Sequence, residues 1–293
     1  MKKLLTCMLF CWATSSWAQD DLFGELDKDT KPVTNYATAT FKSTRVINGH
    51  SVENMAAKHM DFRISHRFGA LNSGFGELWG LDQAKARIAF EYGITDNFMV
   101  GVGRSGYQKT YDYFAKYKLL RQSSGERNMP LSVSVFGSVA TITMPTGPDF
   151  RFNDNLQRQS YCGQLLIARK LNDKISVQIS PTILHRNKVE LTNDPNTLVS
   201  VGLGGRAKIS KRTTLNVEYW LNPQNRNSIY TNCLSVGFDI ETGGHVFQLH
   251  FTNSRSMVES QFIGQTTGQW SKGDIFYGFN LSRTFSFDGK SKK

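Results

Sequence analysis

From residue 60 onward, apolar and polar side chains alternate with a period of two. Over 60–68, Met60, Phe62, Ile64 and Phe68 fall on one side, and Asp61, Arg63, Ser65 and Arg67 on the other. Over 84–92, Ala84, Ala86, Ile88, Phe90 and Tyr92 oppose Lys85, Arg87 and Glu91. Over 111–119, Tyr111, Tyr113, Tyr117 and Leu119 oppose Asp112, Lys116 and Lys118. Successive side chains of a strand point to opposite faces, so this pattern predicts strands with one apolar and one polar face. No segment after the N-terminus keeps a helical period over three turns. The alternation and its breaks predict 12 strands, at 60–69, 84–93, 98–105, 109–121, 130–144, 159–170, 175–185, 197–209, 213–222, 230–241, 244–253 and 273–287.

The connections carry further information. Tight turns fall at 93–97, 171–174, 210–213 and 241–244, each with Gly, Asn, Asp or Ser to make the bend. A somewhat longer polar link spans 122–128. The intervening connections near 70–83, 145–158, 186–196, 223–229 and 254–272 are long and polar; only the link at 105–109 is short for its place. Membrane barrels show this alternation, with short turns at the periplasmic rim and longer loops outside. An even strand count returns both ends to the periplasmic rim. The expected fold is therefore all-β: a single transmembrane antiparallel up-and-down β-barrel of about 12 strands over 59–288.

A secreted β-sandwich alternates in the same way but hides its apolar face in one core. Here the apolar faces gather aromatic residues towards strand ends, as at Tyr92, Phe98, Tyr111, Tyr230, Phe285 and Phe287. Interfacial girdles do this, and outer-membrane lipid is the expected surrounding. Phe285 and Phe287 near the chain's end also suggest engagement of barrel-assembly machinery.

The first residues, Lys2 and Lys3, an apolar stretch over 4–13 and the small-residue ending Ser16-Trp17-Ala18, read as a signal peptide cleaved after Ala18. Its apolar stretch is too short to cross a membrane as a helix. The expected organisation is a leader at 1–18, an N-terminal periplasmic or plug segment at 19–58, the barrel, and a basic tail at 289–293. Of four cysteines, Cys7 and Cys11 leave with the leader; Cys162 and Cys233 are left, with one bridge open to them. The formal charge of +11 falls by two with Lys2 and Lys3. The remaining surplus is spread over strands and turns, which does not suit nucleic acid.

Several segments together resemble a Bacteroidetes family of outer-membrane β-barrels of unknown function. They are Thr40-Phe41-Lys42-Ser43-Thr44-Arg45-Val46-Ile47-Asn48-Gly49-His50-Ser51-Val52-Glu53, Ile64-Ser65-His66-Arg67-Phe68-Gly69, Phe90-Glu91-Tyr92-Gly93-Ile94-Thr95-Asp96, and the run from Gly237 to Asn253. The resemblance implies the barrel and an outer-membrane location. It carries over no activity and no catalytic residues.

Candidate chemistry lies on the polar faces. In this register Arg63, Arg67, Lys85, Arg87, Lys116, Lys118, Arg206 and Lys208 face the lumen with Asp61, Glu91, Asp112, Glu218, Asp239 and His250. A basic lining favours a small anionic or polar solute, passed or bound; a cross-lumen salt-bridge network that shuts the barrel is the equal alternative. Residues 41–53 either plug the lumen, where Arg45, His50 and Glu53 would meet these charges, or add a strand at the seam. A lipid-active enzyme of the outer-membrane phospholipase type would draw on the run His250-Phe251-Thr252-Asn253-Ser254 and on Ser65-His66, although His250 and Thr252 take the lumen face. A structural barrel that binds a periplasmic partner is the third reading. The six histidines are scattered without metal-ligand spacing, so neither metal nor cofactor is expected.

Overall fold

The computed structural model describes residues 33–147, 151–191, 193–224 and 226–287. The leader and its cleavage site, the acidic stretch 20–32 and the tail 289–293 lie outside the described residues.

Twelve antiparallel strands close into one barrel. In chain order they are β1 (His59–Ala70), β2 (Lys85–Gly93), β3 (Phe98–Ser105), β4 (Thr110–Leu120), β5 (Ser132–Ile142), β6 (Gln159–Lys170), β7 (Ile175–Arg186), β8 (Thr197–Lys208), β9 (Thr213–Leu221), β10 (Cys233–Thr242), β11 (His245–Thr252) and β12 (Phe276–Ser286). Each strand pairs with its sequence neighbours, and β12 closes on β1 with Leu281 opposite Ile64. Closure leaves no row of unpaired backbone groups, which hydrocarbon would not solvate. The strands lie where the alternation puts them. The largest displacements are at β10 and β12, whose starts at Cys233 and Phe276 fall later than expected. Tyr230 consequently sits in a loop, with Arg226 over its ring, and is not part of a strand-end girdle.

The short turns are held by the side chains that marked them. Asn172 Oδ1 accepts from the backbone N–H of Lys174 and Ile175, both at 2.8 Å. Thr95 and Ser210 hydroxyls do the same for Phe98 and Thr213, each at 3.0 Å. These turns share one rim with the chain's entry to β1, where Lys58 N–H bonds the Gly93 carbonyl.

The outer wall is apolar and exposed: Phe90, Val177, Ile179, Ile183, Val199 and Leu203 point away from the barrel. The inner wall holds Arg63, Arg67, Arg87 and Lys116, each at most 2% exposed. This distribution is the inverse of a water-soluble sandwich and suits a wall facing lipid. Near the short-turn rim, Tyr92 meets Phe287 and Phe98 meets Tyr117, with ring centres 6.5 and 6.3 Å apart.

Two segments fill the interior. The N-terminal one pairs Thr34–Tyr36 with Ser123–Gly125, then enters the barrel, where nearly every residue from 40 to 52 is buried. It lies in the lumen and adds no strand at the seam. The second is the β11–β12 connection. The sequence suggests a solvated loop over 254–272; instead residues 252–264 fold inward almost entirely, through a short helix at Glu259–Phe262. Its Met257, Val258, Phe262 and Ile263 are at most 4% exposed. They supply the apolar surface that drives the loop out of water.

Candidate functional site

The N-terminal segment reverses inside the barrel as a hairpin. Val46 N–H bonds the Gly49 carbonyl, and Ser51 N–H bonds the Thr44 carbonyl, both at 2.9 Å. The tip presents three successive backbone N–H groups, of Ile47, Asn48 and Gly49, to the Glu218 carboxylate at 3.0, 3.1 and 3.0 Å. A fourth donor, the Trp220 indole N–H, reaches Glu218 at 2.9 Å. Converging N–H groups form an anion-binding concavity, and Glu218 occupies it. Gly49 is required here, because a Cβ would lie 2.5 Å from Trp220 Cζ2.

Wall residues grip the rest of the hairpin. Gln178 bonds the His50 carbonyl at 2.8 Å and the Val52 N–H at 2.9 Å. Lys116 Nζ donates to the carbonyls of Ser51 and Glu53, at 3.0 and 2.5 Å. Glu53 accepts from Thr40 N–H at 2.7 Å, which folds the segment back on itself. Arg206 donates to the Ala39 and Thr40 carbonyls, and Lys42 pairs with Glu241 at the rim.

One side of the lumen is ionic. Arg63 donates to Asp61, Ser43 and Thr44 at 2.8–2.9 Å. Glu91 accepts from Thr44 at 2.5 Å, with Arg45 and Arg63 each 3.8 Å away. Arg87 and Asp112 form a two-pronged pair between β2 and β4. Arg45 also reaches Glu259 at 2.8 Å, which links the N-terminal segment to the β11–β12 loop. His50 stands 3.7 Å from the same carboxylate and packs on Phe114 and Phe136.

The other side is apolar. Met99, Phe114, Phe136, Leu166, Leu184, Leu198 and Trp220 are buried inward-facing residues of β3–β9, and they receive Phe262 and Ile263 from the loop. The interior is therefore not uniformly charged, as the strand patterns suggested. Asn48, Glu259 and this apolar half carry no mark in the strand patterns that set the charged candidates. A signal existed in adjacent apolar pairs such as Tyr113-Phe114, Leu165-Leu166 and Leu198-Val199, where both faces of the strand are apolar.

The remaining candidates disperse. Lys85 and Lys208 have the inward register but lie exposed at the rims, Lys85 at the mouth of a cavity beside Arg67; Lys118 is half-buried. Asp239 accepts from Gln248 at 2.8 Å. His250 is buried in the lumen, and Thr252 is engaged with Ser235 at 2.8 Å, while Leu249 and Phe251 take the outer face. A lipid substrate would meet those apolar side chains and not His250; His66 takes the outer face, stacked on Phe279, but Ser65 beside it is buried on the lumen side. Cys162 and Cys233 are buried free thiols, with no bridge between them. Among the described residues, no group of three or more His, Cys, Asp or Glu side chains could hold a metal ion.

Three cavities follow the inner face of β1. The outer one, about 410 Å³, opens between Arg67, Lys85, Asp82, Tyr107 and Arg255. The inner one, about 190 Å³, lies between Arg63, Asp61, Ser43, Thr44 and Lys42. Between them is a small void of about 10 Å³ whose lining includes both Arg63 and Arg67. Each arginine thus borders two neighbouring cavities.

These features define a membrane-spanning β-barrel whose lumen is shut by two segments of its own chain. The chain belongs to the family described as membrane bound beta barrel domain (DUF5777), which it matches over residues 41–285. The match begins within the lumen hairpin segment and ends in β12. No curated protein matches this chain. Among solved structures it is similar to a KdgM porin (TM-score 0.45, 11% identity, 78% of this chain and 99% of that one). It is also similar to the COG4313 outer membrane channel from Pseudomonas putida F1 (0.47, 13%, 80% and 98%) and to outer membrane phospholipase A from Escherichia coli (0.43, 8%, 76% and 92%). At these levels the likeness concerns the barrel alone.

Proposed function

We propose that this chain is an outer-membrane barrel that passes or binds a small anionic solute, held closed by its lumen hairpin. The observation that carries the reading is the row of cavities along β1, stepped by Arg67 and Arg63 from the long-loop rim to the short-turn rim. Fixed guanidinium charges in a water-poor lumen raise the local concentration of anions and repel cations. In this state the Glu218 anchor and the Arg45–Glu259 contact hold both internal segments across that route. Opening requires the hairpin to leave on the side where residues 33–58 enter. The reading places the barrel in the outer membrane of a Gram-negative, Bacteroidetes-type cell after loss of the leader, with the N-terminal segment available to a periplasmic partner.

Planar-bilayer recording tests this. The full chain is expected to conduct little, and a variant lacking residues 20–53 to conduct with anions favoured over cations. A folded deletion variant without conductance, or with cation preference, overturns the reading.

A further inference from the structure

The void between Arg63 and Arg67 is enclosed by four guanidinium-bearing residues, Arg45, Arg63, Arg67 and Arg87, together with Ser65, Asn48 and Asn280; its lining contains no carboxylate. All four arginines are at most 3% exposed. Arg45, Arg63 and Arg87 have carboxylate partners on their other sides. Arg67 differs. Its Nη2 donates to Asn48 Oδ1 at 2.6 Å, while Nε and Nη1 find no acceptor. Among the described residues no carboxylate oxygen lies within 4.0 Å of its guanidinium. Glu218 across the lumen keeps its negative charge, because its four donors, three at the hairpin tip and the Trp220 indole, are neutral; it acts on Arg67 from a distance and makes no contact with it. Nε and Nη1 of Arg63 and Nε and Nη2 of Arg45 also lack hydrogen-bond acceptors.

A guanidinium stays protonated at any ordinary pH, so Arg67 cannot relieve its burial by losing a proton. A buried charge whose N–H groups find no acceptor in contact is unfavourable. The lining provides donors to an occupant and little to accept from one. A volume of about 10 Å³ is near the minimum for one water-sized sphere. A void of that size suits a monatomic anion better than phosphate, sulfate or a carboxylate-bearing solute.

We propose that the closed barrel holds one halide ion, chloride under ordinary conditions, between Arg67, Arg63 and Arg45, where it accepts from the guanidinium N–H groups that no protein acceptor reaches. The site deepens the anion reading above, because it names the smallest member of the solute class. It does not need conduction. The hairpin tip contributes Asn48 to the lining and the β11–β12 loop contributes Met257, so the ion is enclosed only when both segments are in place. Halide then favours the closed state by binding to it alone.

The test uses the full chain purified in detergent and crystallised with bromide as the sole halide. Anomalous diffraction is expected to show a single bromide in the void, bonded to Arg67. A water there, or no bromide peak, overturns the proposal. Thermal unfolding at equal ionic strength provides a second readout. The midpoint is expected to rise by several degrees from gluconate to bromide or chloride, with saturation; equal midpoints overturn the proposal. Arg67→Met is expected to lose both the peak and the halide effect. If that variant does not fold, Asn48→Asp places a carboxylate beside Arg67 and is expected to abolish the halide effect while stabilising the halide-free protein. A bromide peak in a barrel whose deletion variant never conducts keeps the site and sinks the conduit. Anion-selective conductance without a peak does the reverse.

Discussion

Replacing Glu218 with glutamine isolates the anchor of the lumen hairpin. The change keeps the shape of the side chain and removes its charge. In the native protein the carboxylate accepts from the Ile47, Asn48 and Gly49 N–H groups and from the Trp220 indole, at 2.9–3.1 Å. A glutamine retains one acceptor oxygen and turns an NH2 group towards N–H donors. Hydrogen bonds to charged groups contribute about 1.5–3 kcal/mol each, but four on one carboxylate do not add. Loss of two such hydrogen bonds, at the donors that face the new NH2 group, sets the expected cost of holding the tip at about 3–5 kcal/mol. At about 1.4 kcal/mol per tenfold change, the released population rises roughly a hundred- to several thousand-fold. The assay is thiol labelling of Ser51→Cys, a site with no solvent exposure in the closed barrel. The background carries Cys162→Ala and Cys233→Ala, since those thiols are native and buried. When closing is faster than labelling, the labelling rate follows the open population. A Glu218→Gln barrel that remains resistant to heat and SDS yet labels at the native rate would refute the anchor.

Other changes probe separate links. Glu241→Gln removes the rim pair with Lys42, whose carboxylate is half exposed; labelling of Ser51→Cys should change by less than about 1 kcal/mol. Gly49→Ala forces a Cβ onto Trp220, and overpacking of about 1–3 kcal/mol should raise labelling, with no change if the tip is not seated there. Arg45→Met and Glu259→Gln should each loosen both internal segments, and their double-mutant cycle should show coupling of about 0.5–3 kcal/mol; additive effects would deny the direct contact. On the outer wall, Leu203→Arg in mid-strand should destabilise folding into lipid vesicles by about 2–4 kcal/mol and Ile209→Arg at the rim by about 0–1 kcal/mol. Equal losses would contradict the lipid-facing assignment.

The barrel was legible because its signals are local. Alternation over a few residues sets the two faces of a strand, and a side chain such as Asn172 closes a turn by bonding its own neighbours. Neither depends on distant parts of the chain. The strand count, the up-and-down order and the inward register of Arg63, Arg67, Arg87 and Glu218 all follow from such patterns.

What fills the barrel depends on contacts between residues far apart in the chain. Arg45 meets Glu259 and Asn48 meets Ser235, and nothing in either neighbourhood announces the other. The polar run from Ser254 to Gln261 reads as a solvated loop, because serine and glutamine are satisfied equally well by water or by a polar wall. Inside, Gln261 bonds Thr110 at 2.9 Å, and Met257, Phe262 and Ile263 leave water. Periodicity therefore determined the wall and which of its side chains face inward. Only closure into a barrel brought Glu218 to the hairpin tip and Arg67 to a void without a carboxylate. A hydrogen bond or a counter-charge is a property of two positions, and the sequence states them one at a time.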